Sequence, residues 1–106
     1  MKRLETTIFI ELKGASGARY RFLPASQTQP SVMAGNLVVA EHAPEGLVVL
    51  LVGVTNDLSR SQRLAREAGL GDKPLFVRLN VARRSRDQEH EDIVAQYAPP
   101  KVIDDA

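Results

Sequence analysis

Cysteine and tryptophan are absent from the chain, and aromatic residues make up only 5% of it. Without thiols the chain can form no disulfide, no cysteine nucleophile and no cysteine–zinc site. The absence of cysteine suits a reducing compartment, and we predict that the protein is located in the cytoplasm. So few aromatic rings leave little for stacking on unpaired bases, which disfavours recognition of single-stranded nucleic acid. The apolar run Leu47–Val54 is too short for a membrane span of about 20 residues, so we expect no membrane association.

The chain as a whole also lacks an excess of positive or negative charge. The net charge of the 106 residues is +1, with 25% charged and 43% hydrophobic residues, which is typical of one soluble domain covering residues 1–106. The distribution is uneven. Residues 59–86 contain eight Lys or Arg against two acidic residues, and residues 87–106 contain six acidic residues against one Lys. Such a basic stretch either binds phosphates or pairs with the acidic stretch beside it.

The segment Leu47–Leu58 organises the centre of the chain. Its first eight residues are uncharged and mostly branched, which favours a strand buried on both faces. The run ends at Thr55, and Asn56 or Asp57 can accept the free N–H groups of a following helix. A helix is therefore predicted over residues 57–70. Its buried stripe recurs at three and four residues and comprises Leu58, Ser61, Leu64, Ala65 and Ala68.

Further strands and a second helix are predicted on either side of this centre. Alternation in Thr6–Leu12 and in Arg19–Leu23, around a glycine turn, predicts a β-hairpin that Pro24 ends. Leu37–Glu41 should pair antiparallel with Leu47–Val52. The remaining predictions are a strand at Leu75–Val81, a helix over Arg86–Tyr97 capped by Ser85 and stopped by Pro99-Pro100, and a loose tail at Lys101–Ala106.

Short motifs in this order resemble those of the GIY-YIG nuclease domain. Gly35-Asn36-Leu37 stands where the family has Gly-Ile-Tyr, and Leu51-Val52-Gly53 where it has Tyr-Ile-Gly. Asn56-Asp57-Leu58 then opens a helix, and Glu91–Pro100 is similar to the last helix of the family and its proline stop. The resemblance covers about residues 19–100. It implies an α/β fold with a small antiparallel central sheet flanked by helices, in ββαβα order, preceded by an extra N-terminal β-hairpin strand.

In that family four positions carry the chemistry: two tyrosines, an arginine on the first helix and a metal-binding glutamate on the last. Aligned on the motifs, these positions fall here on Leu37, Leu51, Ser61 and His90. Leucine cannot activate water, serine cannot neutralise charge on a phosphate, and neutral imidazole is a poor ligand for Mg²⁺. The resemblance thus implies a degenerate nuclease with no catalytic residue, metal or cofactor. The four positions aligned with the family's active groups should meet on one side of the sheet.

His90 and its acidic neighbours leave an alternative open. His90 is either a histidine hydrogen-bonded at the sheet edge or a transition-metal ligand aided by Asp87, one turn earlier. Asp87 can also complement the positive N-terminus of the helix. Glu89 and Glu91 point to either side of His90 and are expected to face solvent.

Three functions follow from these observations. The leading prediction is a non-catalytic module that binds DNA or RNA through Arg60, Arg63, Arg66, Arg83, Arg84 and Arg86. The second is a protein-interaction or structural domain that uses an exposed apolar edge at Ile8-Phe9-Ile10. The third is an active metal-dependent endonuclease with a site rearranged around Arg60 or Arg63, His90 and Glu89 or Glu91.

Overall fold

The structure, a computed structural model, describes residues 9–27 and 31–106. These residues form six β-strands, two α-helices and two short 3-10 turns. The strands are β1 (Ile10–Lys13), β2 (Arg19–Pro24), β3 (Gly35–Ala43), β4 (Gly46–Thr55), β5 (Leu75–Leu79) and β6 (Lys101–Asp105). The helices are α1 (Ser61–Glu67) and α2 (Arg83–Tyr97), and the 3-10 turns cover Ala25–Gln27 and Leu58–Arg60. The first residues of the predicted hairpin lie outside the described part.

The predicted pairing at the centre of the chain is confirmed. β3 and β4 run antiparallel with Val38 opposite Val52, and the pairs continue to a tight connection at Gly46. Gly46 has φ +131°, a conformation that strains other residues, so glycine suits this turn. Every residue of β4 from Leu51 to Thr55 is buried, whereas the first half of the strand is partly exposed. Burial on both faces is therefore confined to the second half of the strand.

The carboxy-terminal segment is a strand, so the prediction of a loose tail there is wrong. β6 pairs in parallel with β4, from Lys101 opposite Leu51 to Asp105 opposite Thr55. The Thr55 hydroxyl donates a 2.6 Å hydrogen bond to Asp105 Oδ2 and holds the end of the strand. Pairing with an existing strand needs backbone groups rather than a long apolar pattern, which explains the missed strand. The sheet, in the order β1-β2-β5-β3-β4-β6, is mixed rather than antiparallel.

Helices flank the central strands on both faces, as predicted. Successive side chains of a strand point to opposite faces. Leu37 and Val39 of β3 accordingly belong to a core cluster with Leu64 of α1, whereas Val38 belongs to a second cluster with Ile93 of α2. The chain therefore has an α/β fold with one helix on each face of the central strands.

The polar cluster after β4 starts the first helix, as the sequence predicts. Asp57 caps the 3-10 turn, and its Oδ1 accepts a 3.0 Å hydrogen bond from the Ser59 backbone N–H. The α-helix itself is shorter than the predicted 57–70, and Gly69 at φ +81° follows it. The predicted stripe is buried at Leu58, Ser61, Leu64 and Ala65 and half-buried at Ala68.

The second helix begins three residues before the predicted 86–97. Its N-cap is Ala82, which carries no hydrogen-bonding side chain. Ser85 lies inside the first turn, where its hydroxyl donates to Glu89 Oε2 at 3.3 Å. The prediction that Ser85 caps this helix is therefore wrong. Local preference favoured serine, but the turn before the helix is held by tertiary contacts described below.

β1 and β2 form the predicted hairpin at one edge of the sheet. Ile10 pairs with Phe22, which is fully buried, and β2 ends at Pro24. Of the apolar edge predicted there, Phe9 is exposed, Ile10 is buried and Ile8 lies outside the described residues. None of the helices in residues 9–27 and 31–106 is long and apolar enough to cross a membrane.

Candidate nucleic-acid interface

One end of the sheet collects the starts of both helices. β4, β5 and β6 run in the same direction, because β3 is antiparallel to both β4 and β5 and β6 is parallel to β4. Their carboxyl ends therefore lie where β3 begins, and α1 and α2 start there after β4 and β5. We call this region the carboxyl end of the sheet; it comprises Gly35, Asn36, Thr55, Asn56, Leu79, Asn80 and Asp105.

A network of amide side chains and one arginine fills this end on the α2 side. Asn80 Nδ2 donates to Asn36 Oδ1 at 3.0 Å, and Asn36 Nδ2 donates to the Arg86 carbonyl at 3.1 Å. Arg86 Nη1 donates to the carbonyls of Asn80 (3.2 Å) and Val81 (2.9 Å), and Nη2 donates to Asn56 Oδ1 at 3.4 Å. Arg86 is only 3% exposed. This predicted nucleic-acid contact is therefore inside the protein, where it holds the turn before α2.

Arg60 is tied to the carboxyl end by an ion pair. Its Nη2 lies 2.7 Å from Asp105 Oδ2, and its Nε donates to the same oxygen at 2.9 Å. The hydrogen bond from Thr55, together with this guanidinium, holds the pKa of Asp105 below its usual value. A guanidinium that already binds a carboxylate has fewer donors left for a phosphate. Arg60 is therefore less available than its sequence position indicates.

The other four predicted arginines are exposed. Arg63 and Arg66 lie on α1, and Arg83 and Arg84 are the first two residues of α2. Arg63 and Arg83 make loose contacts, at 3.8 and 3.6 Å, with the acidic residues four positions later. Such exposed pairs contribute little in water. Arg66 and Arg84 make no ion pair within residues 9–27 and 31–106.

Ion pairs inside the fold neutralise further residues of the basic stretch. Arg78 Nε lies 2.8 Å from Glu89 Oε1, and Lys73 Nζ lies 3.2 Å from Glu41 Oε1. The Glu89 side chain is only 15% exposed, so the expectation that it faces solvent is wrong, whereas Glu91 is exposed. The excess positive charge is thus reduced by α2 at Arg78 and by β3 at Lys73.

The four positions aligned with the nuclease motifs do not converge. Leu37 and Leu51 are fully buried in the cluster that α1 covers, and Ser61 is buried on α1 itself. His90 lies on α2, which covers the other face. The expectation that all four meet on one side of the sheet is wrong. The residues of the rearranged site are divided in the same way, since Arg60 and Arg63 accompany α1 and His90 and Glu89 belong to α2.

His90 has an unusual environment that still falls short of a metal site. Its Nδ1 is buried and has no hydrogen-bond partner among the described residues. Burial lowers the pKa of His90, against the opposing effect of Asp104, Asp87 and Glu91. The imidazole is therefore largely neutral at pH 7. No group of three histidines or carboxylates in residues 9–27 and 31–106 is placed to hold a metal ion.

A polar cluster that the sequence did not indicate joins α2 to the turn between β1 and β2. The hydroxyls of Ser16 and Tyr20 donate to Asp92 Oδ2 at 2.6 and 2.7 Å, and the Ser16 backbone N–H donates to Oδ1 at 2.8 Å. These bonds, those of Ser16 first, lower the pKa of Asp92, while burial raises the pKa of Tyr20. A Cβ at Gly14 would collide with this carboxylate. Sequence separations of 72 and 76 residues explain why no local motif reveals the cluster.

An apolar groove of about 930 Å³ lies beside the first helix, which has only seven residues. Leu75 and Val77 line it as buried residues, and Leu23 and Leu79 line it with 38% and 61% of their surface exposed. Exposed apolar surface beside a groove is a usual sign of a binding surface.

Comparisons with known proteins give no relative of this chain. No protein-family model matches it, and neither a curated protein nor a solved structure is detectably similar. A function for the chain therefore has to be inferred from its own residues and geometry.

Proposed function

We propose that the chain is a non-catalytic, GIY-YIG-like module that binds nucleic acid through Arg63, Arg66, Arg83 and Arg84. Residues 35–97 follow the order strand, strand, helix, strand, helix that the resemblance implies. One observation carries the binding proposal: both helices start at the carboxyl end of the sheet, and both bear exposed arginines without strong ion pairs. A phosphate backbone crossing this end meets Arg63 on α1 and Arg83 and Arg84 on α2. Arg66 lies in the last turn of α1 and extends this surface along the helix.

The absence of catalysis is supported by what occupies the aligned positions. Buried leucines at Leu37 and Leu51 make the α1 face dry, and neither side chain can move a proton. Ser61 offers no positive charge to a phosphate, and His90 lies on the opposite face. We therefore expect no nicking of supercoiled plasmid with Mg²⁺, Mn²⁺, Co²⁺ or Ni²⁺. Cleavage that survives purification and disappears in His90→Ala would overturn the proposal.

Backbone binding by a few arginines has a definite salt signature. Each phosphate contact on duplex DNA contributes about −0.9 to the slope of log K against log salt. With few aromatic residues in the chain, we expect duplexes to bind better than single strands. Sequence preference should be weak, because phosphate contacts position a protein without identifying bases.

Fluorescence anisotropy with labelled duplex DNA, duplex RNA and single strands tests this function. Exchanging all four exposed arginines for glutamine should weaken binding uniformly across sequences and lower the salt slope. The matched control is Lys101→Gln, which removes an exposed charge from the opposite end of β6 and should leave binding unchanged. No binding of any nucleic acid by the unaltered protein at low salt would refute the proposal.

The groove beside α1 favours a second candidate, a protein-interaction domain. Leu23 and Leu79 are large apolar side chains left partly exposed at its rim. Self-association through this groove is the kind of protein interaction that can be measured directly. Light scattering should then show a dimer that Leu79→Lys dissociates while the circular dichroism spectrum is kept. A monomer at high concentration would exclude self-association through this groove.

A further inference from the structure

The amino terminus of α2 lacks the anionic group that helix starts usually carry. The first N–H groups of a helix have no partner within it and form its positive end, so a capping oxygen or an acidic residue normally accompanies them. Here the N-cap is Ala82, which supplies neither, and the first turn contains no acidic residue. Three of the first four helical residues are arginines instead: Arg83, Arg84 and Arg86. Positive side chains at a positive helix end are unfavourable unless an anion is added.

The buried side chain of Arg86, at the same helix start, also lacks a negatively charged partner. The Arg86 side chain folds back across the start of its own helix, since Nη1 donates to the carbonyls of Asn80 and Val81, just before the cap. The residue is 3% exposed, and each of its acceptors is a neutral carbonyl or amide oxygen. Its Nε has no partner among the described residues. A buried charge without a counter-charge is costly, and an anion nearby would offset that cost.

The neighbouring carboxylates bind other groups, except for Asp104, which is exposed on β6 and forms no ion pair among the described residues. Asp87 faces Arg83 at 3.6 Å in an exposed pair, and Glu89 binds Arg78 at 2.8 Å and the Ser85 hydroxyl at 3.3 Å. On the α1 side, Asp57 accepts from Ser59 and Asp105 accepts from Arg60 and Thr55. No carboxylate of residues 9–27 and 31–106 forms an ion pair with Arg86.

We propose that the amino terminus of α2 is a phosphate-binding site. The backbone N–H groups of Arg83, Arg84 and Ser85 would hold the phosphate oxygens, with the buried Arg86 guanidinium behind them and the exposed Arg83 and Arg84 side chains closing over the anion. Helix starts with free N–H groups suit phosphate, and guanidinium groups strengthen such sites. The proposal rests on the proposed function in one respect, namely that the phosphate group belongs to a nucleic acid. The site itself accepts inorganic phosphate as well.

Amide NMR with inorganic phosphate tests the site in the unaltered protein. The largest shift changes should fall on the amides of Arg83, Arg84 and Ser85 and on the Arg86 Nε–H. Chloride at the same ionic strength should not reproduce them. Shift changes spread evenly over Arg63, Arg66 and the start of α2 would show ordinary ion screening and overturn the proposal.

Variants of Ala82 test the site without disturbing the core, because this residue is exposed and has the extended conformation of an N-cap. Ala82→Asp places a carboxylate where the phosphate should lie. It should raise the melting temperature and weaken phosphate binding by at least about tenfold. Ala82→Asn caps the same N–H groups without charge and should weaken binding less, and Lys101→Gln should not change it. Unchanged phosphate affinity in Ala82→Asp would refute the site.

Separate ligands distinguish this site from the general function. Equal losses of inorganic phosphate and duplex DNA affinity in Ala82→Asp would support a site for backbone phosphates. Stronger binding of a 5′-phosphorylated than of a 5′-hydroxyl oligonucleotide would support a site for terminal phosphate. Phosphate binding without duplex binding would keep the site and reject the nucleic-acid function. If Ala82→Asp leaves duplex binding unaffected and phosphate causes no NMR shift changes at residues 83–85, the site is rejected and the nucleic-acid function is kept.

Discussion

The two helices of this protein start at the same end of one sheet and are built in opposite ways. Asp57 caps the 3-10 turn that leads directly into α1 and so supplies an internal anion there, and the hydrogen bond from Ser59 holds the pKa of that carboxyl below its usual value. Before α2, Ala82 supplies nothing, and Arg83 and Arg84 add positive charge. One start is complete within the chain, and the other carries an unmatched positive charge.

The arginine nearest each start shows the same contrast. Arg60 is partly exposed and binds the carboxylate of Asp105. Arg86 is buried and binds only neutral oxygens. A surface pair gains little from its charges, whereas a buried cation without a counter-charge has a large desolvation cost. The difference indicates that α2, not α1, is where an external anion would gain most.

Replacing Arg86 should have the largest effect. Arg86→Met leaves the carbonyls of Asn80 and Val81 without their donor, at a cost of about 1–3 kcal/mol each when buried. Part of this is recovered because the unmatched charge is removed, so we expect a net loss of about 2–4 kcal/mol. Urea unfolding measures the loss. Phosphate should stabilise the unaltered protein by mass action and should not stabilise this variant.

Arg60→Met is the matched control for that variant. It removes an arginine from the other helix start, where the pair with Asp105 is partly exposed. We expect a loss of about 1 kcal/mol or less and an undiminished effect of phosphate. Equal losses in the two variants would show that the two starts do not differ in the way their contacts indicate.

The sequence predicts the α1 start well and the α2 start poorly, for physical reasons. After β4 the information is local: an apolar run stops at Thr55 and a capping residue, Asp57, follows directly. Before α2 the preferred cap, Ser85, is displaced because long-range hydrogen bonds of Asn36 with Asn80 and Arg86 fix the turn before the helix. Arginine in a charged stretch predicts a solvated side chain, and only the fold reveals its burial.

The other differences between the sequence-based predictions and the structure also arise because the deciding contacts are not local. The contacts that join Asp92 to Ser16 and Tyr20 span most of the chain, so no periodic pattern reports them. β6 has only two apolar residues, Val102 and Ile103, and its pairing with β4 comes from the backbone. The candidate arginines were recognisable from the sequence, but their division into bound, buried and exposed residues depends on packing.

Thr55→Val should have the next largest effect, because it disrupts the complete start. The Thr55 hydroxyl donates to Asp105 Oδ2 at 2.6 Å and accepts from the Asp57 backbone N–H at 3.0 Å. Valine keeps the shape and removes both bonds, so we expect a loss of about 2 kcal/mol. Thr55→Ser keeps the hydroxyl and loses one methyl group, at about 1 kcal/mol. If valine is tolerated better than serine in urea unfolding, packing rather than hydrogen bonding determines this start.

Ala82→Asp should convert the deficient start into one like α1. A capping carboxylate contributes about 1 kcal/mol, and the positive end of α2 adds to its effect. Ala82→Asn should stabilise by a few tenths of a kcal/mol less, because it lacks the charge. Urea unfolding at low salt gives both values, and added salt should reduce only the difference between them. A destabilised Ala82→Asp would mean that another group already satisfies this helix end.

The smallest expected effect is the acid dependence of the two starts. Because the folded-state pKa of Asp57 lies below its ordinary value of about 3.9, its carboxylate contributes fully above about pH 4, and this contribution is lost as pH falls through the folded pKa. Asp57→Asn keeps a capping oxygen but does not titrate, so its stability should decline less steeply in acid. Asp92 and Asp105, whose pKa values are also lowered, still titrate in both proteins. The measurement is therefore the difference in melting temperature between unaltered protein and variant, from neutral pH downward. Ala82→Asp should steepen the decline, since it adds a carboxylate to α2. Parallel curves for the unaltered protein and Asp57→Asn would show that Asp57 gains nothing from its charge, and the two helix starts would then differ only in hydrogen bonding.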